Sequence, residues 1–373
     1  MGLFLKLFEN HTQYESYING SDAILPNVSI CTTEGDVHYN PYVPETRVVA
    51  KFNVTSTSRQ TQISYYYKNS RITSDGTSGF STIEFDDGYI VTNPSSSTTQ
   101  HLFNTTGEHT VKYTLKDPTS IGAYAFGYCT SLTSIDIPDS VTSIGESAFQ
   151  SCISLTSVNI PSGVTNIGIT AFNECTSLTS IDIPNSVTSI SNHAFERCRS
   201  LTSIDIPNSV TSIGGSAFRD CSGLTSCTIG NGVTSIGDST FLGCTSLTSC
   251  TIGSGVTSIG YYAFGSCSGL TSINIPDSVT SIGNYAFRSC SGLTSCTIGS
   301  GVTNIGTSAF TSCSGLTSIV CNATTAPTIQ SNTFQDVKSG GTLRVPIGSS
   351  GYDVWMGTGD YYLGKYNWTK VEQ

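Results

Sequence analysis

A β-rich solenoid of stacked short coils, entered through a small β-sandwich and closed by an aromatic segment, is predicted by three features of the sequence. A phenylalanine returns every 23 residues, at Phe126, Phe149, Phe172, Phe195, Phe218, Phe241, Phe264, Phe287 and Phe310, with Phe334 arriving one residue late. A cysteine follows each of the first nine at the third residue, from Cys129 and Cys152 through to Cys313. Between them the apolar residues recur as L-x-x-I-x-I, V-x-x-I and A-F-x-x-C, for example Leu132, Ile135, Ile137, Val141, Ile144, Ala148, Phe149 and Cys152. A fixed short period of this kind is the signature of a solenoid, because no single coil can bury its apolar face alone.

Each piece of the coil has a reading. The L-x-x-I-x-I stretch ends with the period-two pattern of a strand with one face inward, and Pro138 or Gly230 stops it. A short V-T-S-I extended piece follows, and "GESAF" turns the chain back toward the next strand. These residues resemble the BspA-like leucine-rich repeats, whose pattern is close to L-x-x-I-x-L-P-x-x-V-x-x-I-G-x-x-A-F-x-x-C. The resemblance covers residues 118 to 321 and implies a leucine-rich-repeat solenoid of nine 23-residue coils. It says far less about function than about fold.

Coils stacked at the inter-strand spacing of about 4.8 Å place identical side chains above one another. Phenylalanine rings repeating at that distance stack with an offset, a favourable aromatic geometry. Cysteine is small and tolerates full burial, and Cys227, Cys250 and Cys296 stand where other coils have Ile135, Ile181 or Ile204. A residue that interchanges with isoleucine belongs to the core. Parallel Cβ vectors about 4.8 Å apart are also too far for the roughly 3.8 Å that a disulfide prefers, so free thiols are expected. No metal centre is expected either: close pairs such as Cys221 and Cys227 are C-x5-C, and His193 is the one histidine of the array.

Charge narrows the partners. Charged residues make up 11 % of the chain, the net charge is −10, and no lysine occurs between Lys116 and Lys338. Residues 118 to 321 hold four arginines against ten carboxylates, so there is no basic groove to neutralise phosphates and no nucleic-acid partner is expected. The start, "MGLFLKLFENH", has an apolar stretch broken by Lys6 and closed by Glu9. That is too short for a bilayer span or a signal-peptide core, so neither membrane insertion nor Sec-type export is expected.

Three regions flank or follow the array. Residues 1 to 45 contain a dense run of aromatic, Pro and Asn residues, "FENHTQYESYINGSDAILPNVSICTTEGDVHYNP" at 8 to 41. This run resembles the N-terminal segment preceding repeat or immunoglobulin-like domains in gut Bacteroides proteins and their phages, which implies attachment to other virion or surface subunits. Residues 46 to 117 alternate apolar and polar, as in "RVVAKFNV", "STIEFDDGYIV" and "EHTVKYTL", and predict a small immunoglobulin-like β-sandwich that caps the first coil. Residues 322 to 373 break the period and predict a C-terminal cap, with Trp355, Tyr361 and Trp368 as a second reading, a sugar-stacking platform.

The outward positions of the long strands form flat columns. Thr133, Thr156, Thr179, Thr202, Thr225, Thr248, Thr271, Thr294 and Thr317 make a nearly constant one, beside matching serines. Another column varies, as Asp136, Asn159, Asp182, Asp205, Thr228, Thr251, Asn274 and Thr297, and is the candidate ligand-binding face. Asp182 and Asp205 are expected about 5 Å apart, near the separation of a retaining glycosidase pair, but every stacked pair shares that spacing. No nucleophile elbow, phosphate loop or His-centred triad accompanies them, so no enzyme and no cofactor is expected. The acidic end of the column offers at most a weak Ca²⁺ site. The sequence therefore points to a non-enzymatic adhesion or interaction protein on a phage virion or a bacterial surface, binding a host glycan or protein. The alternative is an architectural virion decoration or fibre subunit without a dedicated ligand.

Overall fold

The computed structural model describes residues 47–55, 61–65, 80–92 and 98–373. The segment 1 to 45, with the attachment role expected of it, lies outside the described residues, as does Cys31. From residue 46 onward the chain is one compact unit.

Its centre is the solenoid. Leu132, Ile135, Ile137, Val141, Ile144, Ala148, Phe149 and Cys152 are all buried, and the same eight positions are buried coil after coil. Two parallel sheets form the walls. The long strands give Ser203–Ile206, Ser226–Ile229 and Ser249–Thr251 as one run, and Ser272–Ile275, Ser295–Ile298 and Ser318–Cys321 as another. Opposite them, two-residue V-T-S-I strands from Ser120–Ile121 to Thr328–Ile329 pair in strict register, Ile144 beside Ile167 and Ile167 beside Ile190.

Between the sheets runs the aromatic column. Successive rings from Phe126 to Phe310 lie 5.1–5.4 Å apart between centroids, tilted by no more than 10°. Phe334, despite its extra residue, continues the stack at 5.8 Å. The cysteine beside it has a bonding role as well as a packing one. Cys152 Sγ donates to Phe126 O at 3.0 Å, and the pattern repeats at 3.1–3.2 Å down to Cys313 and Phe287. The same Phe126 carbonyl accepts the N–H of Cys129, so both of its lone pairs are used.

The turn after each short strand carries two residues with positive φ, non-glycine everywhere but at Gly243, such as Ser147 (52°) and Ser151 (56°), a conformation costing about 1–2 kcal/mol per non-glycine residue. The curl offsets this by aiming three N–H groups at the next coil. Ser147, Phe149 and Ser151 donate to Ile169, Ala171 and Asn173 carbonyls at 2.8, 2.8 and 2.7 Å.

The array runs on past the nine coils read from the sequence. Thr342–Val345 pairs parallel with Ser318–Cys321 and then with Thr369–Glu372, which adds two turns to the long-strand wall. Their residues, T-L-R-V and T-K-V-E, have lost the L-x-x-I-x-I spelling but keep Leu343 and Val345 buried.

At the other end the strand Arg47–Val54 pairs antiparallel with Gly107–Leu115 on one edge and with Leu132–Asp136 of the first coil on the other. Val48, Ala50, Phe52 and Val54 alternate inward on it. Phe80–Phe85 and Ile90–Thr92 extend this sheet, and Thr61–Tyr65 forms a separate ribbon with Thr98–His101. The sheet of this module is thus continuous with the first long strand of the solenoid. Segments 56–60, 66–79 and 93–97 of the expected immunoglobulin-like module lie outside the described residues.

Candidate recognition surface

The variable column lies on the outer face of the long strands. Asp136, Asn159, Asp182, Asp205, Thr228, Thr251 and Asn274 are exposed and Thr297 half-buried. Strand pairing sets Asp205 beside Thr228 and Thr228 beside Thr251, then Asn274 beside Thr297. At the other end Asp136 pairs with Val49 of the N-terminal module, which forms the border of the column. Residues 178–183 adopt no strand, so Asp182 and Asp205 are joined only through the contact of their coils, Thr202 N to Thr179 O at 3.2 Å. Asn274 also rims a shallow depression of about 400 Å³ with Ser254, Asp277 and Asn322. Among the described residues no group of three or more His, Cys, Asp or Glu side chains is placed to hold a metal ion.

The constant threonine column has a structural duty that periodicity alone does not reveal. Thr156 sends both its N–H and its Oγ1–H to the carbonyl of Thr133, each at 3.1 Å. Thr179, Thr202, Thr225 and Thr248 repeat the hydroxyl bond at 2.9–3.2 Å, and Thr133 itself reaches Lys51 O at 3.1 Å. A parallel series along the short strands includes Thr188 to Thr165 O and Thr257 to Thr234 O. The signal that could have found it was the invariance itself, set against the variation at Asp136, Asn159 and Thr228.

The tryptophans belong to the C-terminal core. Trp355 is 1 % exposed, packs its ring 5.2 Å from Phe334 and donates Nε1–H to Pro327 O at 3.0 Å. Trp368 is 5 % exposed, donates to Lys338 O at 2.8 Å, and lies so close over Gly341 that a Cβ there would meet its ring at 2.3 Å. Neither offers a face to a sugar, which corrects the platform reading. Burial of both rings against the last turns is the physical reason. Tyr361 alone of the three is exposed.

On the turn side, charges gather across three coils. Arg197 binds Glu174 at 2.8 Å, His193 Nδ1 meets Glu196 at 2.7 Å, and Arg219 lies 3.6 Å from Asp220. Burial and hydrogen bonds from Asn173 hold Glu196 in place, so this cluster ties coils together rather than facing a ligand.

Two parallel sheets, a turn side of stacked bends and a core of identical residues define a leucine-rich-repeat solenoid. Residues 119–247 and 212–340 match the BspA type Leucine rich repeat region, in six copies. The chain belongs to this family. Among solved structures it is similar to a leucine-rich repeat protein from Bacteroides ovatus, at 23 % identity over 78 % of this chain and 89 % of that one, with a TM-score of 0.47. It is also similar to the T. pallidum leucine-rich repeat protein, at 35 % identity over 41 % of this chain and 71 % of that one, TM-score 0.39. A leucine-rich cell surface protein from Faecalibacterium prausnitzii aligns at 26 % identity over 70 % of this chain and 83 % of that one, TM-score 0.34. No curated protein matches the chain.

Proposed function

We propose that this chain is a non-enzymatic interaction protein whose long-strand face presents the variable column to a ligand, a host glycan or protein. One observation carries the reading. The constant threonines spend their hydroxyls on neighbouring coils, while the eight side chains of the variable column make no hydrogen bond or ion pair among the described residues. Side chains free of internal duties can change without cost to the fold, which is what a surface adapted to a ligand requires. Asp182 and Asp205 are both exposed, whereas a paired acid and base work in a cleft from which water is excluded.

Display on a phage virion, or alternatively on a bacterial surface, is supported by the resemblance of residues 8 to 41 to the N-terminal segments of such proteins. No helix among the described residues is long and apolar enough to cross a membrane. The test is binding of the purified chain to cells of candidate hosts, with and without Asp182→Ala and Asp205→Ala. Loss of binding with an unchanged fold supports the strand face. A chain that assembles onto particles yet binds no cell or glycan is an architectural subunit instead.

A further inference from the structure

The turn side carries one group of aromatic and basic side chains that the repeat pattern of the coils does not call for. Tyr262 and Tyr285, from consecutive coils, stack at 4.7 Å with planes 7° apart. Tyr261 stands edge-on to both, at 4.5 and 5.5 Å, and is 45 % exposed. Arg288 lies 5.6 Å from the Tyr285 ring centroid and donates to Tyr262 Oη at 2.8 Å. Its guanidinium is exposed and has no carboxylate partner among the described residues, in a chain of net charge −10.

The backbone here is strained in favour of this arrangement. Tyr262 and Tyr285 occupy left-handed positions, φ 52° and 59°, filled in most other coils by Ser, Thr, His or Asn; only Tyr124 of the first coil shares the choice. A bulky residue there is costly, and such cost collects at functional sites. Gly265 lies directly beneath, where a Cβ would meet Tyr262 Cδ1 at 2.7 Å and Leu242 Cδ1 at 3.0 Å, so its missing side chain lets the ring lie flat.

We infer that Tyr261, Tyr262, Tyr285 and Arg288 form a binding site for a sugar bearing a carboxylate. The inference rests on the reading of the chain as an interaction protein and names a second face and ligand class for it. Three chemical facts select this occupant. The exposed Tyr261 ring offers an apolar face of about the size of one pyranose ring, and aromatic faces take C–H groups well. Arg288, held by Tyr262 and Tyr285, presents the remaining edge of a planar fork that matches a carboxylate. Along the same turns Ser239, Gly243, Ser266, Ser289 and Ser308 are small, and the Asp238 carboxylate accepts the Tyr261 N–H at 2.8 Å and is thereby engaged with the backbone, so the surroundings are polar and unlike the apolar centre of a protein interface burying roughly 800 Å² per side.

The test is titration of the full chain with sialyllactose, with a galacturonate trimer and with neutral lactose. Binding to either acidic sugar, at least tenfold tighter than to lactose, is expected, and the two acidic arms distinguish a sialic from a uronic source. Arg288→Gln should abolish the preference over lactose, and Tyr261→Ala should weaken all sugar binding at least tenfold. Thermal melts check that both variants fold, and since both residues are exposed either one alone suffices for the comparison. Equal binding of lactose and the acidic sugars, no binding of any of them, or self-association lost on Arg288→Gln would each overturn the inference. If host-cell binding persists in Arg288→Gln but is lost in the Asp182/Asp205 variant, the interaction reading stands and this site does not.

Discussion

Tyr113 meets Phe126 edge-on, with ring centroids 5.0 Å apart and planes at 86°. A stack of parallel rings leaves a bare face at each end, and here the N-terminal module covers one with Tyr113 and with Phe80, 5.4 Å from the same ring. Trp355 covers the other at Phe334. The column therefore has no solvent-facing ring, and its stability depends on both closures as well as on its interior.

Phe218→Ala empties the middle of this column, between neighbours at 5.3 and 5.4 Å, and should cost about 3 to 5 kcal/mol. Denaturant unfolding monitored by circular dichroism measures it. Because each coil leans only on its neighbours, the variant should also lose the single cooperative transition, its two halves melting apart. A cost below about 1 kcal/mol would mean that the stack contributes little beyond ordinary burial.

The thiols should be inert until the fold opens. All thirteen described cysteines are buried and free, and burial pushes the Cys290 thiol up to about 12 from an ordinary value near 9. A group whose folded value is raised contributes stability that is full below its unfolded value and lost as pH climbs toward the folded one. The denaturant midpoint should accordingly hold from pH 7 to about 8.5 and fall between there and pH 11. Alkylation at pH 8 should modify none of the thirteen in the native chain and all of them after denaturation; four or more unreactive, bridged cysteines would contradict the packing.

Asp182→Ala with Asp205→Ala should leave stability within about 0.5 kcal/mol, since both side chains are exposed and unbonded. Thr225→Val is the contrast on the same face. It removes the 2.9 Å bond to Thr202 O and should cost about 0.5 to 1.5 kcal/mol despite equal exposure. Thermal melts of the two variants compared side by side decide whether the columns differ as described.

A chain beginning at residue 46 should remain folded, because the strand Arg47–Val54 still pairs with Leu132–Asp136 and covers the first coil. If residues 1 to 45 attach the protein, the truncated chain loses assembly onto its particle or surface while ligand binding persists. Sedimentation with particles and a thermal melt are the two readouts. Loss of the fold, or normal assembly, would refute this division of roles.

Periodicity made the core legible. Phe218, Cys221 and Leu224 were placed by spacing, because stacking turns an i, i+23 identity directly into contact. The same logic failed where spelling drifted, at Leu343 and Val345, since burial was kept but the repeat was not. It also left the threonine bonds unseen: a hydroxyl on an exposed strand reads as solvated unless the carbonyl beneath it is known. Trp355 and Trp368 fall outside the period, and the sequence reads them first as cap rings over the last coil and second as an exposed platform; their burial removes the second reading, as the bare end of a solenoid demands large rings. Tyr262 and Tyr285 stand 23 residues apart in the sequence, but their stacking, the exposure of Tyr261 and the lack of a carboxylate partner for Arg288 among the described residues are properties of the folded turn.

The threonine and thiol bonds all point the same way, each coil donating to the one before it. An internal coil thus ends as it begins, with the same acceptors offered below and the same donors above. Duplication or loss of whole coils leaves these repeated threonine and thiol bonds unchanged at each join. The reach of the molecule can then be reset in steps of about 4.8 Å by copying or deleting 23 codons, while the two closures, and whatever they attach to, stay as they are.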